Sequence, residues 1–431
     1  MSGTVRKILP VLSAVVLLIL AGLGAAPAIN RCSKGEPSAP RIPVNLNEVL
    51  TNAVSDSSAF AGFDREIRDY MTFWGLRGAS LSVMRNDSLL YAKGYGWADQ
   101  GKPMQPNNLL RMASVSKLLT ATGIMILQER GLLSLKDTVF GPHGLLDDPR
   151  YNAWIRDRNY ERITVEDLLR HKGGFSRKGG DPMFSTRTLM VQNRLRKVPD
   201  AEKLMEIQLK RPLDFEPGTT QEYSNFGFLV LSLLIERLSG VDYETFIQDN
   251  VLHQSCCADF HLGRNYYADR FPREVRYYVQ PNDKPVQEFN NSGRMVPRCY
   301  GGNNIEGLSG AGAWIASTPE LARFVASIDG RPEVPDILGW ESIAAMTEYF
   351  DKDTYSLGWN DTKPTGEWTR TGTFAGTTAL VKYFPEGDCW IFIANTSTWK
   401  GPALARHTTD LFLKLRSEYA GIFPRRNLFY E

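Results

Sequence analysis

The chain has 431 residues, 42% of them apolar and 23% charged, which suits a large globular domain and excludes wholesale disorder. Fifty Lys and Arg stand against 48 Asp and Glu, a formal charge of +2 with no long basic run, so nucleic acid is not expected as a partner. The five cysteines and five histidines show no zinc-like spacing, and the sequence implies neither a metal nor a cofactor.

In chain order, Arg6 and Lys7 precede an apolar stretch from Ile8 to Ile29. A charged start before an oily middle is the pattern of an export signal, and the stretch is also about long enough to cross a bilayer of roughly 30 Å. Residues 1–29 are therefore read as a signal peptide or an N-terminal membrane anchor, with cleavage left open. The expected location is the periplasm or the outer face of the cytoplasmic membrane. Residues 30–55 read as a linker, and 56–431 as one folded domain. Phe63, Ile67, Tyr70 and Met71 fall at helical spacing and predict a helix over 63–74. Strands are predicted at 79–84 and 88–95, with a turn at Arg85-Asn86-Asp87. Helical patterns dominate 132–300, which reads as a second lobe. Strands at 379–384 and 390–395 and a helix over 403–419 close the chain. This order predicts an α+β fold, an antiparallel sheet flanked by helices plus a mostly helical lobe. Five cysteines leave at least one unpaired within the chain. Cys299 or Cys389 is a possible disulfide partner for Cys256 or Cys257, and the alternative is that all are small buried apolar residues.

Three constellations carry chemistry. Ser114-Val-Ser-Lys117 opens an apolar segment, so a helix beginning there places an amine one turn from a hydroxyl. An amine that removes the hydroxyl proton turns the serine into a nucleophile, provided desolvation or a neighbouring cation lowers the amine's pKa. A second Ser-x-x-Lys, Ser397 to Lys400, lies in a polar stretch and reads as chance. Tyr223-Ser-Asn225 precedes an apolar helix and offers a phenol for proton exchange and an amide to fix Lys117. Arg370-Thr371-Gly372-Thr373 leads into a strand. There the glycine is expected to let substrate add along the strand edge, and the Thr373 amide to complete an oxyanion hole.

In this order the three motifs resemble the class C β-lactamases, the penicillin-binding D-alanyl-D-alanine carboxypeptidases and the related family VIII esterases. The likeness runs from about Phe63 to Asn395 and includes Gly78-Ala-Ser-Leu-Ser-Val, Gly94-Tyr-Gly-Trp-Ala-Asp99 and Leu308-Ser-Gly-Ala-Gly-Ala-Trp314. The resemblance implies a β-lactamase/transpeptidase-like fold and a Ser114 acyl-enzyme, with Lys117 and Tyr223 sharing base and acid duty. It implies substrate binding by Asn225, Arg370, Thr371, Gly372 and Thr373, the first at the substrate amide and Arg370 and Thr371 at a carboxylate. Relatives carry Lys or His where this chain has Arg370, which puts the substrate class in question. The expected activity is peptidase or carboxypeptidase action on cell-envelope peptides. The alternatives are esterase or β-lactamase chemistry at the same site, or a silent peptide-binding protein. His171 is read as structural, and Asp181 to Phe184 and Gly301 to Asn304 as lining the cleft.

Overall fold

The computed structural model describes residues 46–178, 180–351 and 354–430. The signal or anchor reading of 1–29 and most of the linker reading lie outside them. A seven-stranded sheet is built from β1 (Gly78–Arg85), β2 (Ser88–Asp99), β3 (Lys102–Pro103), β4 (Asp361–Thr362), β5 (Trp368–Phe374), β6 (Thr377–Tyr383) and β7 (Asp388–Ala394). Its spatial order is β3-β2-β1-β7-β6-β5-β4, and every neighbouring pair is antiparallel. The chain thus starts the sheet at β1, leaves for the long insertion, and returns to close β7 against β1 with Ala79 opposite Ala394.

Helices cover both faces, which is why β6 and β7 are buried along their whole length. One face packs on α1 (Ala61–Trp74) and on a C-terminal helix, Leu404–Tyr419. In α1, Phe63, Ile67 and Met71 recur at i, i+4 and i+8 and meet Leu81, Val83, Trp390, Phe412 and Leu415. Gly75 ends α1 with φ +66°, a left-handed cap that turns the chain straight into β1. Buried Asp64 ties α1 to β2, accepting from Tyr91 at 2.6 Å, Tyr95 at 2.8 Å and Lys93 at 2.8 Å. The opposite face belongs to the main core, which includes α2 (Lys117–Glu129), α3 (Asn225–Ser239) and α4 (Thr318–Ala326). On that face Thr318 meets the Ser80 and Ser82 hydroxyls of β1 at 2.8 and 2.9 Å.

Two predictions need correction. The end of the predicted linker is part of the fold: Leu46–Val49 is a helical turn and Asn52–Ser55 a 3₁₀ turn, with Leu46 and Leu50 buried in the core. The Asn52 side chain bonds the backbone of Gly94 and Met104, holding this segment on the sheet. The helical character of 132–300 also stops early. Helices run from Pro149–Trp154 to Tyr243–Ile247, but beyond residue 253 the chain is irregular, with short strands at His261–Leu262, Val286–Gln287 and Met295–Val296. All four described cysteines are free; Cys257, Cys299 and Cys389 are buried, whereas Cys256 is exposed. Among the described residues no helix is long and apolar enough to cross a membrane.

Candidate active site

Ser114 lies on a 3₁₀ turn, Ala113–Ser116, and α2 begins only at Lys117. The tighter turn has a consequence the predicted α-helix lacks. Three residues per turn eclipse positions i and i+3, which sets the lysine directly over the serine. Lys117 Nζ lies 3.3 Å from Ser114 Oγ. Ala113 enters the turn at φ +49°, a left-handed conformation that L side chains rarely adopt. Met112 donates to the Trp314 carbonyl at 3.0 Å and Ser116 Oγ accepts from the Trp314 amide at 3.2 Å, so both ends of the turn are pinned.

Lys117 is fully buried, and its amine also reaches Asn225 Oδ1 at 2.7 Å and the Ala311 carbonyl. The rings of Tyr223 and Phe228 lie 5.0 and 5.2 Å away. Burial holds the Lys117 pKa well below 10.5, and the Arg370 charge pushes it the same way, while Asp181 opposes both.

Tyr223 and Asn225 arrive from the other lobe on the turn that starts α3, where Ser224 caps the helix through the Gly227 amide at 3.2 Å. Tyr223 Oη donates to Ser114 Oγ at 2.7 Å. Asn225 Nδ2 donates to Asp181 Oδ2 at 2.7 Å, which fixes the flip of the amide and turns its oxygen to Lys117. Asn225 therefore acts on the lysine from a buried position. His171 stacks on Tyr223 with ring centroids 4.3 Å apart, and its Nδ1 accepts from the Ser224 amide at 3.2 Å. Burial, reinforced by the Lys117 and Arg370 charges, holds the His171 pKa well below 6.5, so the ring is a neutral support for the tyrosine.

The third motif is where sequence expectation and geometry part. Arg370 does not face the cleft. It is 1% exposed, its Nε donates to the Ser114 carbonyl at 2.7 Å, and its Nη2 lies 3.4 Å from Tyr223 Oη. A guanidinium buried beneath the Ser114 turn is not placed to meet a carboxylate in the cleft. Thr371 is also engaged: its amide donates to Asn360 Oδ1 at 2.6 Å and its hydroxyl to the same oxygen at 3.1 Å. The reason for Gly372 changes as well. A Cβ there would stand 2.2 Å from the Met112 carbonyl oxygen and 2.9 Å from the Ser114 amide nitrogen, so the space it frees is filled by the serine turn, not by substrate. Thr373 does line the cleft.

That cleft has a volume of about 970 Å³, and Ser114, Tyr223, Asn225 and residues 371–375 form part of its wall. Asp181 and Phe184 line it as expected; of Gly301 to Asn304 only Asn303 does, while Gly301 packs against Tyr266 and Asn304 lines a separate cavity beside Asn265 and Glu306. Arg177, Tyr355, Asn360 and Trp399 also line it, and sequence reading missed all four. They come from irregular segments whose neighbours in space are remote in the chain, so no periodicity marks them. The second Ser-x-x-Lys forms no such pair: Lys400 lies over the Trp399 ring at 4.4 Å, and Ser397 Oγ accepts from the Gly376 amide.

A family profile described as Beta-lactamase matches residues 63–413. The chain is 23% identical over 321 residues to penicillin-binding protein 4* of Bacillus subtilis, covering 71% of this chain and 65% of that one. It is 29% identical over 194 residues to esterase EstB of Burkholderia gladioli, covering 42% and 44%. Its fold superposes on the D-amino acid amidase from Ochrobactrum anthropi SV3 with a TM-score of 0.65 at 19% identity, covering 85% of this chain and 100% of that one. The chain spans slightly less than two thirds of the length of the first curated relatives it matches. With the profile match covering most of its length, including all three motifs, the chain belongs to the beta-lactamase family.

Proposed function

We propose that the protein is a serine hydrolase that breaks amide or ester bonds through an acyl-enzyme on Ser114. One observation carries the reading: an amine and a phenol, at 3.3 and 2.7 Å, converge on one serine oxygen in the wall of a cleft. Three acceptors surround Lys117 Nζ. With the amine neutral, its two N–H bonds serve Asn225 Oδ1 and the Ala311 carbonyl, and its lone pair faces Ser114 Oγ. The contact then reverses, and Oγ–H donates to Nζ. As Oγ attacks a carbonyl carbon, its proton passes to Lys117, and the carbonyl oxygen becomes an oxyanion held by the amides of Ser114 and Thr373. Tyr223 gives its proton to the departing nitrogen or oxygen and recovers one from Lys117. Deacylation runs the same transfers with water as the nucleophile.

Export of the chain and action on peptides of the cell envelope are the finer part of the proposal. They are supported by the N-terminal pattern of Arg6, Lys7 and the apolar run, and by the similarity to a penicillin-binding protein. The test is covalent labelling by a fluorophosphonate, followed by mass spectrometry of the tagged peptide. Labelling of the wild type at Ser114, absent in Ser114→Ala, is the expected result. Equal labelling of the two proteins refutes the assignment.

A further inference from the structure

Along β5 the backbone groups of Thr369, Thr371 and Thr373 alternate to the side away from β6. The first of these is taken by β4, through the Thr369–Asp361 pairing and the Asn360 N–H bond to the Thr369 carbonyl at 2.9 Å. The next outward donor is the Thr371 amide, which goes to Asn360 Oδ1 at 2.6 Å. The Asn360 side chain thus stands where a substrate carbonyl would stand if the substrate continued the sheet. Thr373 carries the first outward amide beyond this cap.

Direction decides what the cap blocks. β5 runs from Trp368 to Phe374. A substrate strand adding antiparallel to it, with its reacting carbonyl at Thr373, sends its acyl side past Phe374 and Ala375. That side opens into the part of the cleft lined by Gln280, Asn282, Ser397 and Trp399. The leaving group runs the other way, toward Thr371, and meets Asn360 with β4 behind it.

We propose that Asn360 is a specificity-determining residue: with β4 it closes the leaving-group side of the strand edge. The enzyme therefore releases short leaving groups, a single amino acid or a small alcohol or amine, and does not cut inside a peptide. This deepens the proposed function and rests on the Ser114 acyl-enzyme.

The test uses two esters of one acyl group, one to lactamide and one to lactyl-glycyl-glycinamide. Their leaving oxygens are alike and only their length differs. Hexanoyl and N-acetyl-D-alanyl series are run in parallel and the faster is taken. Wild-type kcat/KM is expected to favour the lactamide ester at least tenfold. Asn360→Gly, which removes the cap, is expected to narrow that ratio at least fivefold, while Asn360→Asp, which still offers the Thr371 amide an acceptor, keeps the wild-type ratio. Equal rates on the two esters in the wild type overturn the proposal, and this measurement depends on no variant. So does an unchanged ratio in an Asn360→Gly protein that melts like the wild type. A wild type that the fluorophosphonate labels but that turns over neither ester overturns this proposal alone. Failure of that labelling strikes the acyl-enzyme itself and takes the inference with it.

Discussion

Gly372→Ala adds one methyl group at the contact between β5 and the serine turn. The ideal Cβ would lie 2.2 Å from the Met112 carbonyl oxygen, 2.9 Å from the Ser114 nitrogen and 3.1 Å from Ala113 Cβ. Carbon and oxygen settle at about 3.3 Å or more, so strand and turn have to part by roughly 1 Å. None of the three atoms can swing away, because two are backbone and the third is a Cβ. The glycine does not sit at a left-handed φ, so alanine suffers no backbone strain and gains its usual ~0.4–1 kcal/mol from a stiffer unfolded chain. Overpacking of about 1–3 kcal/mol exceeds that gain, for a net loss near 1–2 kcal/mol. The larger effect is on chemistry. A displacement of about 1 Å between nucleophile and oxyanion donor costs on the order of 100-fold in rate. Ester hydrolysis and a thermal melt measure the two effects, with Gly421→Ala, where nothing lies within 4 Å of the new Cβ, as the neutral control. A Gly372→Ala protein within twofold of wild type in kcat/KM and equal to it in melting temperature would refute the steric argument.

Lys117→Met should abolish labelling by the fluorophosphonate and stabilise the fold in a pH-dependent way. The buried amine has a folded pKa below its unfolded value of 10.5, so between the two the unfolded state binds more protons and the folded wild type loses stability as pH falls from 10.5 to the folded pKa. Denaturant melts of the two proteins should diverge over that window and run parallel below it. Arg370→Met removes the neighbouring cation that helps lower the Lys117 pKa, and the acylation rate should rise only at higher pH than in wild type; an unmoved profile would show that burial alone sets it. Asp87 is buried near Asp329, and desolvation followed by that second charge pushes its pKa up to about 8. Its folded pKa is raised, so the stability it contributes is present below the unfolded value and lost as pH rises through about 8. Asp87→Asn should flatten this decline in equilibrium melts.

Most of the framework was legible because it is periodic. The i, i+4, i+8 apolar set of α1 gives a helix within two residues of the observed start, and apolar runs bounded by turn residues place the four central strands β2, β1, β7 and β6. The short strands β4 and His261–Leu262 were not legible, since two residues show no period. Asn52 and Leu46 read as linker because composition cannot report a partner 40 or more residues away, such as Gly94 and Met104 for Asn52. At the site, motif order brought Ser114, Lys117, Tyr223 and Asn225 together, as observed. The orientation of the third motif was not readable, because a one-residue change of face in a strand swaps cleft for interior. Arg370 and Gly372 share the face turned to the serine turn, so the charge expected at the substrate is spent beneath the nucleophile.

That placement makes the choice of arginine chemically specific. The cation beside Lys117 has to stay charged while Lys117 is neutral, or the depression of the lysine's pKa disappears at the pH where it is needed. Burial draws the Arg370 pKa down too, with Tyr223 and Tyr355 opposing, but a guanidinium starts above about 12 and keeps its charge where the amine titrates. A lysine at 370 would share that titration with Lys117, and two coupled amines release their protons in steps that belong to the pair. The rise of acylation with pH should therefore follow a single ionisation in wild type and spread over two in Arg370→Lys. Identical profiles would mean that the guanidinium serves only to hold the Ser114 carbonyl in place.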